Sequence, residues 1–134
     1  MSRLDNLLSR NERIELIEAL RSIRKDIQWK PDKDIVHLKK RQRMGHISLS
    51  ATIQDYEKII TDIVQNDSNI LYVYEFKASK FYAVRGFVQE SEWLVIYGSK
   101  GVMETAFPPE DIDEYLNRRG FIFIGQIKEV LQWT

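Results

Sequence analysis

The amino-acid sequence predicts an α+β fold, in which N-terminal helices pack on a roughly four-stranded antiparallel meander sheet and a short C-terminal helix follows. Three observations carry this prediction. Apolar residues recur with a helical period before residue 67, β-branched and aromatic runs follow from residue 70, and only three or four residues separate those runs. Because so short a segment cannot carry the crossover of a parallel pair, the strands are expected to be antiparallel.

Two helices are predicted in the first half of the chain. Ser9 and Glu12 have the spacing of a capping box, and the apolar stripe behind them predicts a helix over residues 10–27. Thr52 is a good N-terminal cap for a second helix over residues 53–66. Between them, the basic segment 35–47 has poor periodicity, so a short helix ending at Gly45 and a basic loop both remain open.

The second half of the chain predicts the sheet. Runs rich in β-branched and aromatic residues predict four strands, at 70–76, 81–88, 93–98 and 102–107. A short helix is expected over residues 110–117 and another over 126–133, while 121–124 is interpreted as a fifth strand or a packed tail. We expect the helices to cover one face of this sheet.

Length and composition predict a single domain, residues 1–134, with three parts. These are an N-terminal helix and connection (1–34), a helix-plus-meander core (35–109), and a C-terminal helix and tail (110–134). The chain has no cysteine, which excludes a disulfide scaffold, a thiolate metal site and a cysteine nucleophile. It shows neither an apolar run of 18 residues nor a signal-peptide core, so we expect a soluble, cytoplasmic protein with no membrane partner.

Charge is distributed unevenly along a chain that is neutral overall. Residues 1–46 contain 12 Lys or Arg and 7 Asp or Glu, whereas residues 47–134 contain 8 and 13. This asymmetry indicates a basic face for an anionic ligand, or else ordinary solvated surface of both signs. Zero net charge argues against a strongly basic, non-specific nucleic-acid binder.

The segment 37–46 is the candidate site, because it combines both histidines of the chain with four cations and contains no acid. Its titratable residues are His37, Lys39, Lys40, Arg41, Arg43 and His46. Imidazole can accept and return a proton near pH 7, and Lys and Arg bind phosphate oxygens, so RNA transesterification is one interpretation. A basic surface loop with two incidental histidines is the other. No carboxylate pair lies beside the histidines at ligand spacing, so no metal site is expected.

Two strand residues are further candidates. Thr105 lies in a strand expected to be central, where its hydroxyl can contact a phosphate or a ribose. Arg85 is a charge in the middle of a strand, for which the alternatives are a position facing solvent or an ion pair with Glu104 or Glu75. Six aromatic residues are interpreted as core rather than as platforms for base stacking: Phe81, Tyr82, Phe87, Trp93, Tyr97 and Phe107.

Several of these segments together resemble a known superfamily. Segment 36–47 (VHLKKRQRMGHI), the helix that contains residues 56–60, and the strand that ends in 102–108 (VMETAFP) are similar to Barnase, EndoU, colicin-tRNase and RelE-like nucleases. The phage-associated and toxin-like branches are the most similar, and the match covers residues 35–109. The resemblance implies N-terminal helices followed by an antiparallel sheet of about four strands.

The resemblance also implies an activity and its residues. His37 or His46 would act as general base or acid, and the choice between them stays open. Arg41, Arg43 and Arg85 would bind phosphate, together with Lys40, and Thr105 would orient the scissile group. Such enzymes need no metal or cofactor, because the RNA 2′-hydroxyl attacks the adjacent phosphate and leaves a cyclic phosphate. The implied partners are RNA, with tRNA as one candidate, and a cognate protein inhibitor. A non-catalytic protein- or RNA-binding domain on the same fold is the alternative.

Overall fold

The structure, a computed structural model, describes residues 8–133, so the parts of the predictions that concern residues 1–7 and Thr134 lie outside it. The α+β fold with N-terminal helices and an antiparallel sheet is confirmed. The elements are α1 (Arg10–Lys25), α2 (Lys33–Arg43), α3 (Ile53–Gln65), β1 (Ile70–Phe76), β2 (Ser79–Val88), β3 (Ser91–Gly98), a 3₁₀ turn (Ser99–Gly101), β4 (Met103–Phe107), α4 (Ile112–Arg119), β5 (Ile122–Gln126) and α5 (Ile127–Val130).

Reciprocal caps fix where α1 and α3 begin. The Glu12 amide donates to Ser9 Oγ at 3.1 Å, and the Ser9 amide donates to Glu12 Oε1 at 2.9 Å. Thr52 and Asp55 make the same pair of bonds at the start of α3, at 3.2 and 2.8 Å. Because each box satisfies two amides that have no partner inside the helix, both helices begin where the sequence predicts.

The basic segment is a helix rather than a loop. It begins at Lys33, two residues before the predicted segment, and its last turn is followed by Gly45 at a φ of +74°. The helix buries only Leu38 and Arg41. Since one of these two is charged, the segment shows little of the apolar periodicity by which a helix is normally recognised.

The sheet has five strands in the order β4-β3-β2-β1-β5, and every pair is antiparallel. The first four form the predicted meander, and residues 122–126 add a fifth strand beside β1, so the expected count of four is corrected to five. The β1–β2 turn is shorter than predicted, because Lys77 and Ala78 both adopt positive φ, as a two-residue hairpin turn requires. The strand of Thr105, expected to be central, lies at the edge.

Both faces of the sheet are covered by helices, so the expectation of one covered face is wrong. On the first face, α1 and α3 pack through apolar stripes that include Leu20 and Ile60. On the second face, α4 packs through Ile112 and Leu116 in a smaller cluster. Of the six aromatic residues assigned to the core, three are buried and two are half-buried, but Phe87 is 69% exposed and is not in the core.

A bulge in β4 decides where Thr105 points. Thr105 lies opposite Ile96, but the next partners along β3 and β4 are Tyr97 and Met103, so Glu104 is the extra residue. A bulge of this kind reverses the alternation of side chains. As a result, Met103 packs in the core of the first face while Thr105 lies beside Ile96 on the second. No helix among residues 8–133 is both long and apolar enough to cross a membrane.

Candidate functional site

The candidate site lies where α2 and α3 meet the edge strand β4. We call it the β4-edge cluster and define it as His37, Arg41, His46, Tyr56 and Thr105. Four of these five belong to the sequence-predicted site. The predicted cations Lys40 and Arg43 lie on the exposed surface of α2, and Arg85 lies in a separate group of residues described below.

Tyr56, a fully buried residue of α3, ties that helix to the edge strand. Its hydroxyl donates to the Ala106 carbonyl oxygen at 2.7 Å and accepts from the Ala106 amide at 3.2 Å. One side chain thus satisfies both backbone groups of a strand residue that has no neighbouring strand on this side. Burial raises the pKa of Tyr56, against the opposing effects of its bond to Ala106, the charge of Arg41 and a hydrogen bond with Thr105. Tyr56 is therefore a neutral hydroxyl that fixes the backbone next to Thr105.

Arg41 is a buried cation without a counter-ion. Only 3% of its surface is exposed, its Cζ lies 5.3 Å from the centroid of the Phe107 ring, and its Nε is buried without a hydrogen-bond partner. Among the residues that the structure describes, no carboxylate forms an ion pair with it. Burial lowers the pKa of Arg41, although a guanidinium stays charged in proteins. A desolvated charge without a partner is costly, so this position is a candidate functional site.

His46 is the hydrogen-bond partner of Arg41. Its Nδ1 lies 3.1 Å from Arg41 Nη1, and because a guanidinium can only donate, Nδ1 is the acceptor. Burial lowers the pKa of His46, and the charge of Arg41 lowers it further. The ring is therefore neutral at pH 7 with its proton on Nε2. In this tautomer neither nitrogen can take a proton from a substrate, so His46 serves to position Arg41.

His37 is placed differently. Its ring stacks on Trp29, with centroids 5.7 Å apart and planes 27° apart, and Trp29 lies 5.8 Å from the Tyr56 ring. Its Nδ1 is buried and makes no hydrogen bond, so no bond at this nitrogen fixes the tautomer. Burial lowers the pKa of His37. The charges of Arg41, Lys40 and Lys33 lower this pKa further, whereas the charge of Glu104 raises it. A neutral imidazole with an unbonded Nδ1 is the better proton acceptor of the two histidines.

Arg85 lies outside the β4-edge cluster. Its Nε and Nη2 donate to the two carboxylate oxygens of Glu92 at 2.7 and 3.0 Å, and its Nη1 donates to Asp113 at 2.8 Å. We call Arg85, Glu92, Asp113 and Tyr72 the Arg85 cluster. Hydrogen bonds to Glu92, and then to Asp113, raise the pKa of Arg85. Its carboxylate partners differ from the Glu104 and Glu75 considered from the sequence, which pair with Lys30 and Lys80 instead.

Two residues of this region carried no recognisable signal in the sequence. Tyr56 occupies the same helical stripe as Ile60 and Ile63, so it cannot be distinguished from an ordinary core residue. Trp29 follows α1 in a connection whose only sequence signal is the proline at position 31. Its contacts with His37 and Tyr56 depend on how α2 folds back, which no local pattern specifies.

Comparisons with known proteins give no match: neither a family model, nor a curated protein, nor a solved structure matches this chain. Within residues 8–133, no three His, Cys, Asp or Glu side chains are grouped so that they could hold a metal ion.

Proposed function

We propose that this chain is a metal-independent endoribonuclease that cleaves RNA at the β4-edge cluster. The observation that carries the proposal is Arg41, a buried cation whose charge no carboxylate neutralises, held between His46 and the strand of Thr105. Such a charge attracts an incoming anion, and the phosphodiester of RNA is an anion that arginine binds well. The resemblance of residues 35–109 to a nuclease superfamily points to the same reaction.

The proposed reaction needs one proton acceptor and a positive field. His37 accepts the proton of the 2′-hydroxyl, the 2′-oxygen forms a bond to the adjacent phosphorus, and the bond from phosphorus to the 5′-oxygen breaks. The leaving 5′-oxygen takes a proton from water, which gives a 2′,3′-cyclic phosphate and a 5′-hydroxyl end, and the hydroxide that remains takes the proton back from His37. Arg41 stabilises the pentavalent anion, and Lys40 and Arg43 attract the backbone from the exposed side of α2. Thr105 orients the scissile group.

The burial of Arg41 sets a condition on this reaction. Direct contact between its guanidinium and a phosphate requires the segment 44–51, which carries His46, to shift when RNA binds. Without that shift, Arg41 acts through its field alone, which remains strong because few solvent atoms screen it. In both cases the charge must persist at the pH of the reaction, as arginine ensures.

Incubation with total tRNA in the presence of EDTA tests the proposal. We expect cleavage that survives chelation, yields cyclic-phosphate ends detectable by mass spectrometry, and is absent in the His37→Ala, His46→Ala double variant. Lys128→Ala, which removes an exposed cation of α5, is the matched control and should cleave like the wild type. Absence of cleavage at protein concentrations that saturate RNA binding would overturn the proposal.

A non-catalytic RNA- or protein-binding domain is the second candidate, and one observation favours it. Arg85 is already neutralised by Glu92 and Asp113, so fewer charges are available for a phosphate than the resemblance implies. Saturable RNA binding without any cleavage would support this candidate.

We further propose a toxin-like or mobile-element role in the cytoplasm, opposed by a cognate protein inhibitor. Induced expression should then arrest growth for the wild type but not for His37→Ala.

A further inference from the structure

A cavity of about 260 Å³ opens on the second face of the sheet, next to the part that α4 covers. Aromatic side chains form most of its wall, from Tyr74, Phe76, Phe81, Tyr115 and Phe121. These rings meet at steep angles: Tyr74 lies at 86° to Phe81 and at 59° to Phe121. Each of these pairs is edge-to-face or tilted, so the rings form walls around the cavity rather than one flat stack.

Three polar side chains and Ile96 complete the wall of this cavity. Thr105 lines the cavity and also lowers the pKa of Tyr56 through a side-chain hydrogen bond, so the cavity adjoins the β4-edge cluster. Glu104 contributes a carboxylate that is 37% exposed and lies 3.4 Å from Lys30. Arg119 contributes a guanidinium 5.4 Å from the centre of the Tyr115 ring. The cavity therefore offers aromatic surface, a hydrogen-bond acceptor and a cation within reach of the proposed phosphate site.

We propose that this cavity holds one unpaired nucleobase of single-stranded RNA, next to the phosphate at the β4-edge cluster. The inference rests on the proposed function, because the base and that phosphate belong to one bound strand. Aromatic walls of this kind bind bases that have left a helical stack, whereas the bases of a duplex remain covered by their neighbours. The Glu104 carboxylate accepts hydrogen bonds from an exocyclic amine, which adenine, cytosine and guanine carry and uracil lacks.

Binding is measured with short 2′-O-methyl homo-oligomers of A, C, G and U, which lack the attacking hydroxyl and cannot be cleaved, and with a fully paired 2′-O-methyl duplex. Phe76→Ala removes an aromatic wall that is 50% exposed, and Phe87→Ala is the matched control, an exposed phenylalanine of β2 outside the cavity. We expect Phe76→Ala to weaken single-strand binding by about 10-fold, the effect of losing one stacking contact. Phe87→Ala should bind like the wild type, and the duplex should bind more weakly than the single strands.

Glu104→Gln tests the amine contact in the same assay. The wild type should bind the A, C and G oligomers more tightly than the U oligomer, and this preference should shrink in the variant. If Glu104 only repels phosphate, the variant instead binds all four oligomers more tightly by the same factor, which overturns the amine contact. Equal effects of Phe76→Ala and Phe87→Ala, equal affinity for the duplex, or no binding of any oligomer overturns the base site.

Cleavage of unmodified tRNA, measured with the same protein samples, separates this inference from the proposed function. Wild-type cleavage together with unchanged single-strand binding by Phe76→Ala retains the nuclease and overturns the base site. Base-selective binding without cleavage retains the base site and overturns the nuclease.

Discussion

Two arginines of this protein, Arg41 of α2 and Arg85 of β2, are in opposite electrostatic situations. In the β4-edge cluster, Arg41 is almost completely buried and its only polar side-chain partner among the described residues is the neutral ring of His46. In the Arg85 cluster, Arg85 is neutralised by the bidentate carboxylate of Glu92 and by Asp113. The comparison shows that the type of residue does not decide whether a charge is available to a ligand. The set of partners decides it, and the partners come from distant parts of the chain.

The largest expected effect concerns catalysis in the β4-edge cluster. Replacing His37 by alanine removes the proposed proton acceptor and should lower the rate of RNA cleavage by about 10²- to 10⁴-fold. His46→Ala should lower it less, because that side chain positions Arg41 and does not take the proton. Single-turnover kinetics with excess enzyme measure both rates. An equal loss in the two variants would mean that the histidines do not have separate roles.

Arg41→Met should lower activity less than His37→Ala does. It should not lower stability, although it lowers activity. Losing the charge near the phosphate should slow cleavage by about 10²- to 10³-fold. The free energy of unfolding should stay the same or rise by about 1–4 kcal/mol, because an apolar side chain of similar size needs no counter-ion. Urea denaturation followed by tryptophan fluorescence measures this change. A large loss of stability would show that Arg41 has a structural role and not the electrostatic role proposed here.

Tyr56→Phe tests the support of the β4-edge cluster. The substitution leaves the amide and carbonyl of Ala106 without a partner in a buried place, so the free energy of unfolding should fall by about 1–3 kcal/mol. Exchange of the Ala106 amide hydrogen with solvent should accelerate more than exchange at the centre of β3. If the amide of Ala106 stays as protected as in the wild type, another group has replaced the hydroxyl.

Arg85→Met tests whether replacing a paired arginine changes the free energy of unfolding in the opposite direction to Arg41→Met. Here the variant loses charge-assisted hydrogen bonds and leaves Glu92 unpaired, so the free energy of unfolding should fall by roughly 1–2 kcal/mol, a value reduced by partial exposure. The same urea measurement applies. If the two methionine variants change stability in the same direction, the difference between the paired and the unpaired arginine has no energetic consequence.

The smallest effect is a dependence of stability on pH. Burial lowers the pKa of both His37 and His46 below the ordinary 6.5. The unfolded chain therefore binds more protons than the folded chain as the pH falls below 6.5, and the free energy of unfolding should decrease in that range. The decrease ends below the two folded pKa values. The His37→Ala, His46→Ala double variant should show a flatter profile between pH 7 and 5, and an unchanged profile would assign the dependence to carboxylates.

Local signals predicted those parts of the fold that local chemistry determines. Ser9 and Thr52 begin helices because their side chains satisfy amides only three residues away. Short connections imposed the antiparallel meander for an equally local reason. The edge position of β4 was not predictable, because it depends on β5 pairing with β1 at the opposite side. The bulge at Glu104, which turns Thr105 to the second face, was likewise not predictable. The regular alternation of side chains along a strand assumes that no residue is inserted.

The sequence by itself determined the fold class, the starts of α1 and α3, and the ten-residue basic segment that contains His37, Arg41 and His46, but it left open whether this segment is a helix. Only the tertiary structure decided that Arg41 is buried without a carboxylate partner, that Arg85 is neutralised, and that Thr105 lines an aromatic cavity. The physical reason is the separation along the chain of the residues that interact. Caps, turns and periodicity depend on neighbours within a few residues, whereas desolvation and charge pairing depend on residues that meet only after the sheet has formed.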